Sequence, residues 1–256
     1  YISWLDNRNG GYDVYMQRLD TNGNPLWQEN GILIADRNYS WTMDYGITID
    51  SEGNAVVVYR KDMLGGEGIV ASSVSPDGTI LWHQTVQTGV SFVASPVICT
   101  SSNHMYVGWI GNDDSKIQKL NNKGVMQWKT PTSMADPDGG FYFITDIHSS
   151  LNDGAIASFV QYMTFSGNKR LKAQRIKSDG SLAWSSQTDV MTSNSLQYGN
   201  YPDFIPDGAG GGFFTWYGVN PLQCYATHVS SNGIKWFSGE VQVASSVGST
   251  QRVEPV

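Results

Sequence analysis

The groups able to do chemistry in this 256-residue chain are acidic, aromatic and amide-bearing, and they gather in short polar stretches between apolar runs. "DNRN" supplies Asp6, Asn7, Arg8 and Asn9, and "RKD" supplies Arg60, Lys61 and Asp62. "DRNYSWTMDYG" carries Arg37, Tyr39, Trp41, Asp44 and Tyr45, and "QYGNY" carries Tyr198, Asn200 and Tyr201. Rings of this kind stack on the apolar face of a sugar, while planar amides and carboxylates bind pairs of hydroxyls. The same mixture serves protein interfaces, where Tyr, Trp and Arg are favoured anchors. Hydrolysis of a glycosidic bond is the competing chemistry, and it needs one protonated and one charged carboxyl about 5–5.5 or 6.5–9.5 Å apart. Asp6, Asp44, Asp62, Asp114, Asp136, Asp146 and Glu67 are candidates, and their spacing singles out no pair. Asp6 also has a purely structural account, capping its turn and pairing with Arg8.

Other chemistries lack their residues. His83, His104, His148 and His228 show no metal-ligand spacing, and "NDDS" lacks the ligand spacing and length of a calcium loop. There is no nucleophile motif and no glycine-rich phosphate cradle followed by a helix. No cofactor or metal is expected. A net charge of −7, with 16 Lys+Arg and no basic block, argues against a nucleic-acid surface. No apolar run approaches the length of a membrane-spanning helix, so no membrane insertion is expected. Cys99 and Cys224 are expected to be buried thiols rather than a bridge. The chain opens on Tyr1 rather than Met, which is read as a processed product or an excised part of a longer chain.

What must position these groups is a repeat. "DTNGNPLW" recurs as "SPDGTILW", "NNKGVMQW", "KSDGSLAW" and "SSNGIKW", with turn glycines Gly23, Gly78, Gly124, Gly180 and Gly233. Tryptophan follows at Trp27, Trp82, Trp128, Trp184 and Trp236, four residues on except at the last, where it is three. Each phrase follows an alternating strand such as "YDVYMQRL" and, before that, an aromatic or β-branched strand such as "NAVVVY". A further short strand precedes four of these pairs, for example "GITID" and "PDFIP". The unit is therefore four antiparallel strands, here A to D, and five copies predict an all-β, five-bladed β-propeller. The expected single domain has blades 1–35 plus 250–256, 36–90, 91–135, 136–192 and 193–249. The chain opens on a B strand, "YISWL", so "TQRVEPV" is expected to close the ring as the missing A strand beside Tyr1–Leu5. D–A and B–C loops then share one face around the channel mouth, and the polar stretches above fall on it.

Two registered features are read as scaffold. Asn-Gly or Asp-Gly relieves positive φ in the C–D hairpin, and the tryptophans enter strand D as a packing layer between blades. Six residues before each glycine stands a polar residue, Gln17, Ser72, Gln118, Gln174 or Thr227, expected to tie strands or blades together.

The series "ISWLDNRNGGYDVYMQRLDTNGNPLWQENGILI" with "YPDFIPDGAGGGFFTWYG" resembles repeats of secreted or cell-surface bacterial β-propeller proteins. Their pattern runs DG-x-GG, an aromatic-ended strand, D-x-R-x-G, Y-x-Q-R, G-x-x-x-W, then N-G. Residues 1–35 match best and 170–236 well, while the B–C loops of blades two, three and four depart from "DNRNG". These are scaffold motifs, so the resemblance implies fold and an extracellular or cell-surface location. The expected function is a non-catalytic binding or adhesive module recognising a glycan through Trp41, Tyr39, Tyr45, Asp6, Arg8 and Asp62. Glycoside hydrolysis and a structural spacer or protein-interaction domain remain the alternatives. The expected partner is a glycan or a surface protein, and the expected state is a monomer or one domain of a larger chain.

Overall fold

A computed structural model describes residues 1–37, 45–112, 114–135, 140–162, 164, 167–191, 195–197, 199–219, 222–236 and 240–244. Five antiparallel sheets follow one another along the chain, each with its strands in sequence order. The first holds β1 (Ile2–Asp6), β2 (Asp13–Gln17) and β3 (Ile32–Ala35), and the second β4 (Tyr45–Ile49), β5 (Ala55–Met63), β6 (Gly66–Val74) and β7 (Ile80–Val90). The third holds β8 (Ala94–Ser101), β9 (His104–Ile110), β10 (Ser115–Asn121) and β11 (Thr132–Met134). The fourth holds β12 (Phe141–Ser150), β13 (Gly154–Tyr162), β14 (Lys169–Ile176) and β15 (Thr188–Asp189). The fifth holds β16 (Phe204–Pro206), β17 (Gly212–Tyr217), β18 (Cys224–Val229) and β19 (Val241–Gln242). This succession of meanders is the blade pattern of a five-bladed β-propeller. The strand expected over 250–256 lies outside the described residues, and the first sheet has three strands among them. Among the described residues, no helix is long and apolar enough to cross a membrane.

The chain forms two compact units, Tyr1–Asn112 with Ile117–Thr130 and Asp113–Lys116 with Pro131–Val256. The N-terminal unit buries alternate residues of its central strands in two clusters, one around Val14, Met16, Val57 and Tyr59, the other around Val58, Ile69, Val107 and Trp109. The C-terminal unit has its own core, in which Ile156, Val160 and Leu171 meet Trp184, Phe204, Phe214 and Trp216. Cys99 and Cys224 are buried thiols.

The five turn glycines have φ between 77° and 91°, the left-handed geometry expected of them. Their neighbours explain the tryptophans. The Trp27 indole N–H donates to Pro76 O (3.1 Å), Trp82 to Asn122 O (2.8 Å) and Trp184 to Ser231 O (2.8 Å). Each acceptor lies two residues before the next turn glycine. Each ring lies against that glycine too, so a Cβ at Gly124 or Gly233 would come within 2.7 or 2.8 Å of it. Arg18 and Arg175 donate to the same carbonyls, Pro76 O and Ser231 O, which accounts for the basic residue after the glutamine in those two repeats.

The structure corrects two expectations. Trp27, Trp128 and Trp184 sit in bends ahead of strand D rather than inside it, whereas Trp82 lies within β7. The glutamines are the reason. Gln17 accepts from Trp27 N (2.9 Å) and donates to Gln28 O (2.9 Å), so its amide takes the place of a backbone partner. Gln118 and Gln174 likewise engage both backbone groups of Trp128 and Trp184. Ser72 is too short to reach across, and β7 runs unbroken for 11 residues, with Ser72 opposite His83.

The second correction is that Trp236 does not belong to the tryptophan layer. Its N–H donates to His228 O (3.2 Å), the bond made by Leu26, Gln127 and Ala183 in other repeats, one residue before the layer position. One residue along a strand reverses the face. Trp236 accordingly packs against His228 (4.0 Å between centroids, rings tilted by 56°) and stays 65% exposed, whereas Trp184 is 7% exposed. The position matching Trp184 is Phe237, outside the described residues.

Candidate functional site

In the N-terminal unit, the tight turn after β1 brings Asp6 and Arg8 together. Arg8 donates to Asp6 through its backbone N–H (2.9 Å) and through its guanidinium, and Trp4 Nε1 adds a bond at 3.3 Å. The Arg8 hydrogen bonds hold the Asp6 carboxyl well below the usual carboxylate range. Arg8 also lies over the Tyr15 ring, 4.3 Å from its centroid. Asp6 and Arg8 thus satisfy one another, which is their structural account. Tyr45 begins β4, is half-buried against the core and donates to Ser3 O (3.4 Å). Asp62 is exposed near the end of β5, opposite Glu67. Tyr39 and Trp41 lie outside the described residues.

The C-terminal unit carries a concave site with stacking and hydrogen-bonding groups. A cleft of about 310 Å³ is lined by Asn200, Tyr201 and Asp203 from the segment entering the fifth sheet, and by Ile205, Phe213 and Thr215 from β16 and β17. Strand alternation puts Asp203, Ile205, Phe213 and Thr215 on one face, since Ile205 pairs with Phe213. The opposite face sends Phe204, Phe214 and Trp216 into the core. Tyr201 and Phe213 are 45% and 46% exposed, large rings open to a ligand.

Several bonds fix the segment that bears Tyr201 and Asp203. Tyr162 OH donates to Tyr201 OH (3.1 Å), Thr145 Oγ1 to Pro202 O (3.0 Å), and Asn200 Nδ2 to Tyr217 O (3.3 Å). Phe204 N donates to Asp146 Oδ2 (3.2 Å). The β12 register shifts between Ile144 and Asp146, and this bulge directs Thr145 and Asp146 toward that segment. A site held this way needs little ordering when it binds.

Its electrostatics centre on three groups. Asp146 accepts from His148 Nε2 (2.8 Å), Phe204 N and Ile147 N (2.8 Å). Burial raises the Asp203 carboxyl, and the Asp146 charge raises it further, with His148 opposing. For His148, burial lowers the pKa, but the Asp146 bond and charge, Phe204 and Asp203 outweigh it and the net shift is upward. A raised histidine contributes stability below its unfolded value of 6.5, and that contribution is lost as pH rises through the higher folded value. His148→Ala should therefore lower the urea midpoint most below about pH 6, with the difference shrinking toward pH 9. A raised carboxyl has the opposite effect, so Asp203→Asn should stabilise at neutral pH and lose that gain as pH falls through the carboxyl range. Midpoints measured from pH 4 to 9 check both signs.

Tyr201 and Asn200 stood among the aromatic-rich loop stretches of the sequence, but Asp203 and Phe213 did not. Both lie inside "YPDFIPDGAGGGFFTWYG", where they read as scaffold, and only strand alternation from Asp203 to Ile205 offered a signal. Among the described residues, no group of three or more His, Cys, Asp or Glu could hold a metal ion.

No protein-family model matches the chain, and no curated protein sequence matches it. Among solved structures it is similar to a protein from Lactobacillus plantarum, with TM-score 0.57 and 14% identity over 95% of this chain and 67% of that one. It is also similar to a Synechocystis apocarotenoid oxygenase variant, with TM-score 0.51 and 13% identity over 95% of this chain and 59% of that one. The chain thus spans less than two thirds of the oxygenase. An α-L-arabinofuranosidase from Clostridium thermocellum shares 12% identity over 81% of this chain and 74% of that one, and its TM-score of 0.47 is too low to carry an argument. At these identities the likeness shows the fold alone.

Proposed function

We propose that this propeller is a non-catalytic glycan-binding or adhesive module of a secreted or cell-surface protein. The observation that carries the reading is the pinned cleft of the C-terminal unit, where the exposed Tyr201 ring stands beside Asn200, Asp203 and Thr215. A ring for stacking and several fixed polar groups make up the usual equipment of a small-ligand site. Tyr39, Trp41 and Asp62 are proposed as a second contact set in the N-terminal unit, with Tyr45 and the Asp6–Arg8 pair as its support. The test is a glycan array, followed by calorimetry on any hit. Tyr201→Ala is expected to weaken binding at least about tenfold, the loss of one good aromatic contact. Trp41→Ala measures the second set by the same experiment. An array without hits, with a captured protein partner instead, would overturn the reading.

One observation favours hydrolysis as a second reading. Asp146 and Asp203 are neighbouring carboxyls in unlike settings, and such divergence is what separates an acid from a base. Against it, the three donors on Asp146 tie that carboxylate to the scaffold. Turnover of an arabinan or xylan, abolished by Asp203→Asn, would move the assignment to a hydrolase.

A further inference from the structure

We infer that the cleft takes a saccharide bearing a free ammonium group, with the amine against the Asp203 carboxylate and the sugar's apolar face on the Tyr201 ring. This rests on the glycan-binding reading above and names its ligand class. Among the described residues, Asp203 is the one charged residue lining the cleft. Among the described residues it makes no hydrogen bond or ion pair, although the segment on either side is bonded in place at Tyr201, Pro202 and Phe204.

The charged groups acting on Asp203 are Asp146 and His148, both on β12. These two are bonded to one another at 2.8 Å. Their pairing leaves Asp203, which is exposed, as the carboxylate open to a ligand. A neutral sugar offers that carboxylate hydroxyl donors but no opposite charge, and an anionic sugar would be repelled. An ammonium supplies donors together with the opposite charge, and the neighbouring aromatic rings favour a cation as well. Acetylating the amine removes that charge.

The proton balance agrees with this assignment. Burial and the Asp146 charge both raise the Asp203 carboxyl. An incoming ammonium opposes both and so favours the charged carboxylate that pairs with it.

The experiment is calorimetry of the whole chain with a glucosamine tetramer and with its N-acetylated counterpart at about pH 6, where the amine is protonated. The deacetylated tetramer should bind at least about tenfold tighter. Asp203→Asn should erase the preference, whereas Tyr201→Ala should weaken both tetramers. Equal binding of the two tetramers by the native chain would overturn the inference, as would a preference that survives Asp203→Asn. Binding of neither tetramer alongside array hits on other glycans would overturn the inference and leave the glycan reading standing. Failure of every glycan would sink both. A lysine tetrapeptide that competes as well as the amino sugar would overturn the saccharide assignment.

Discussion

Trp184→Ala should cost about 3–5 kcal/mol of folding stability, the range for truncating a large buried aromatic, while Trp236→Ala should cost about 1 kcal/mol or less. The two residues follow the same turn phrase, Trp184 four residues after its glycine and Trp236 three. Their difference is one residue of register. Trp184 is 7% exposed, donates to Ser231 O at 2.8 Å and fills the space left by the missing side chain of Gly233. Trp236 is 65% exposed, and among the described residues its ring contacts are with His228 and Phe213 of its own sheet. Trp27 is half-buried and should fall between them. Urea unfolding of the single variants, with an unchanged slope, measures the ranking. Equal losses at 184 and 236 would show that the layer is not what makes these tryptophans matter.

The second large effect belongs to a polar residue. Gln174→Leu keeps the side chain's size but removes the partners of Arg175 N, Trp184 N and Trp184 O, in a position with no solvent access. Each buried backbone group left without a partner costs about 1–3 kcal/mol, and partial re-pairing leaves an expected loss of about 2–4 kcal/mol. Gln118→Leu should behave the same way through Lys119 and Trp128. Ser72→Ala should cost about 1 kcal/mol, because Ser72 bonds to the Tyr59 hydroxyl and His83 Nδ1 rather than replacing a backbone partner. Amide exchange at Trp184 N is a direct readout. In Gln174→Leu that proton should lose its protection before the sheet unfolds, and continued protection would show that Gln174 is not its essential acceptor.

The glycine turns, the strand alternation and the number of sheets were legible from local pattern, because each depends on a few neighbouring residues. Gly23, Gly78, Gly124, Gly180 and Gly233 have positive φ wherever they sit, and Asn or Asp precedes all of them but Gly124, which follows Lys123. The polar position six residues earlier was legible as a tie, since a buried amide must find partners. That it would replace backbone partners and set the start of strand D was not, because the reach of Gln against Ser matters only once the strands are paired.

The site divides in the same way. Asp6 and Arg8 are two residues apart, and their pairing follows from a tight turn that sequence describes well. In sequence Tyr201 is one loop aromatic among several and Asp203 reads as scaffold, because what distinguishes them lies elsewhere in the chain. Tyr162, Thr145 and Asp146 pin their segment from 39, 57 and 58 residues away. Sequence determined the repeat, the turns and the residue types available to a site, all of them short-range properties. Only the tertiary structure decided which carboxylate is paired, which aromatic is open and which tryptophan belongs to the core. Those outcomes depend on strand register and long-range hydrogen bonds, and a shift of one residue reverses them.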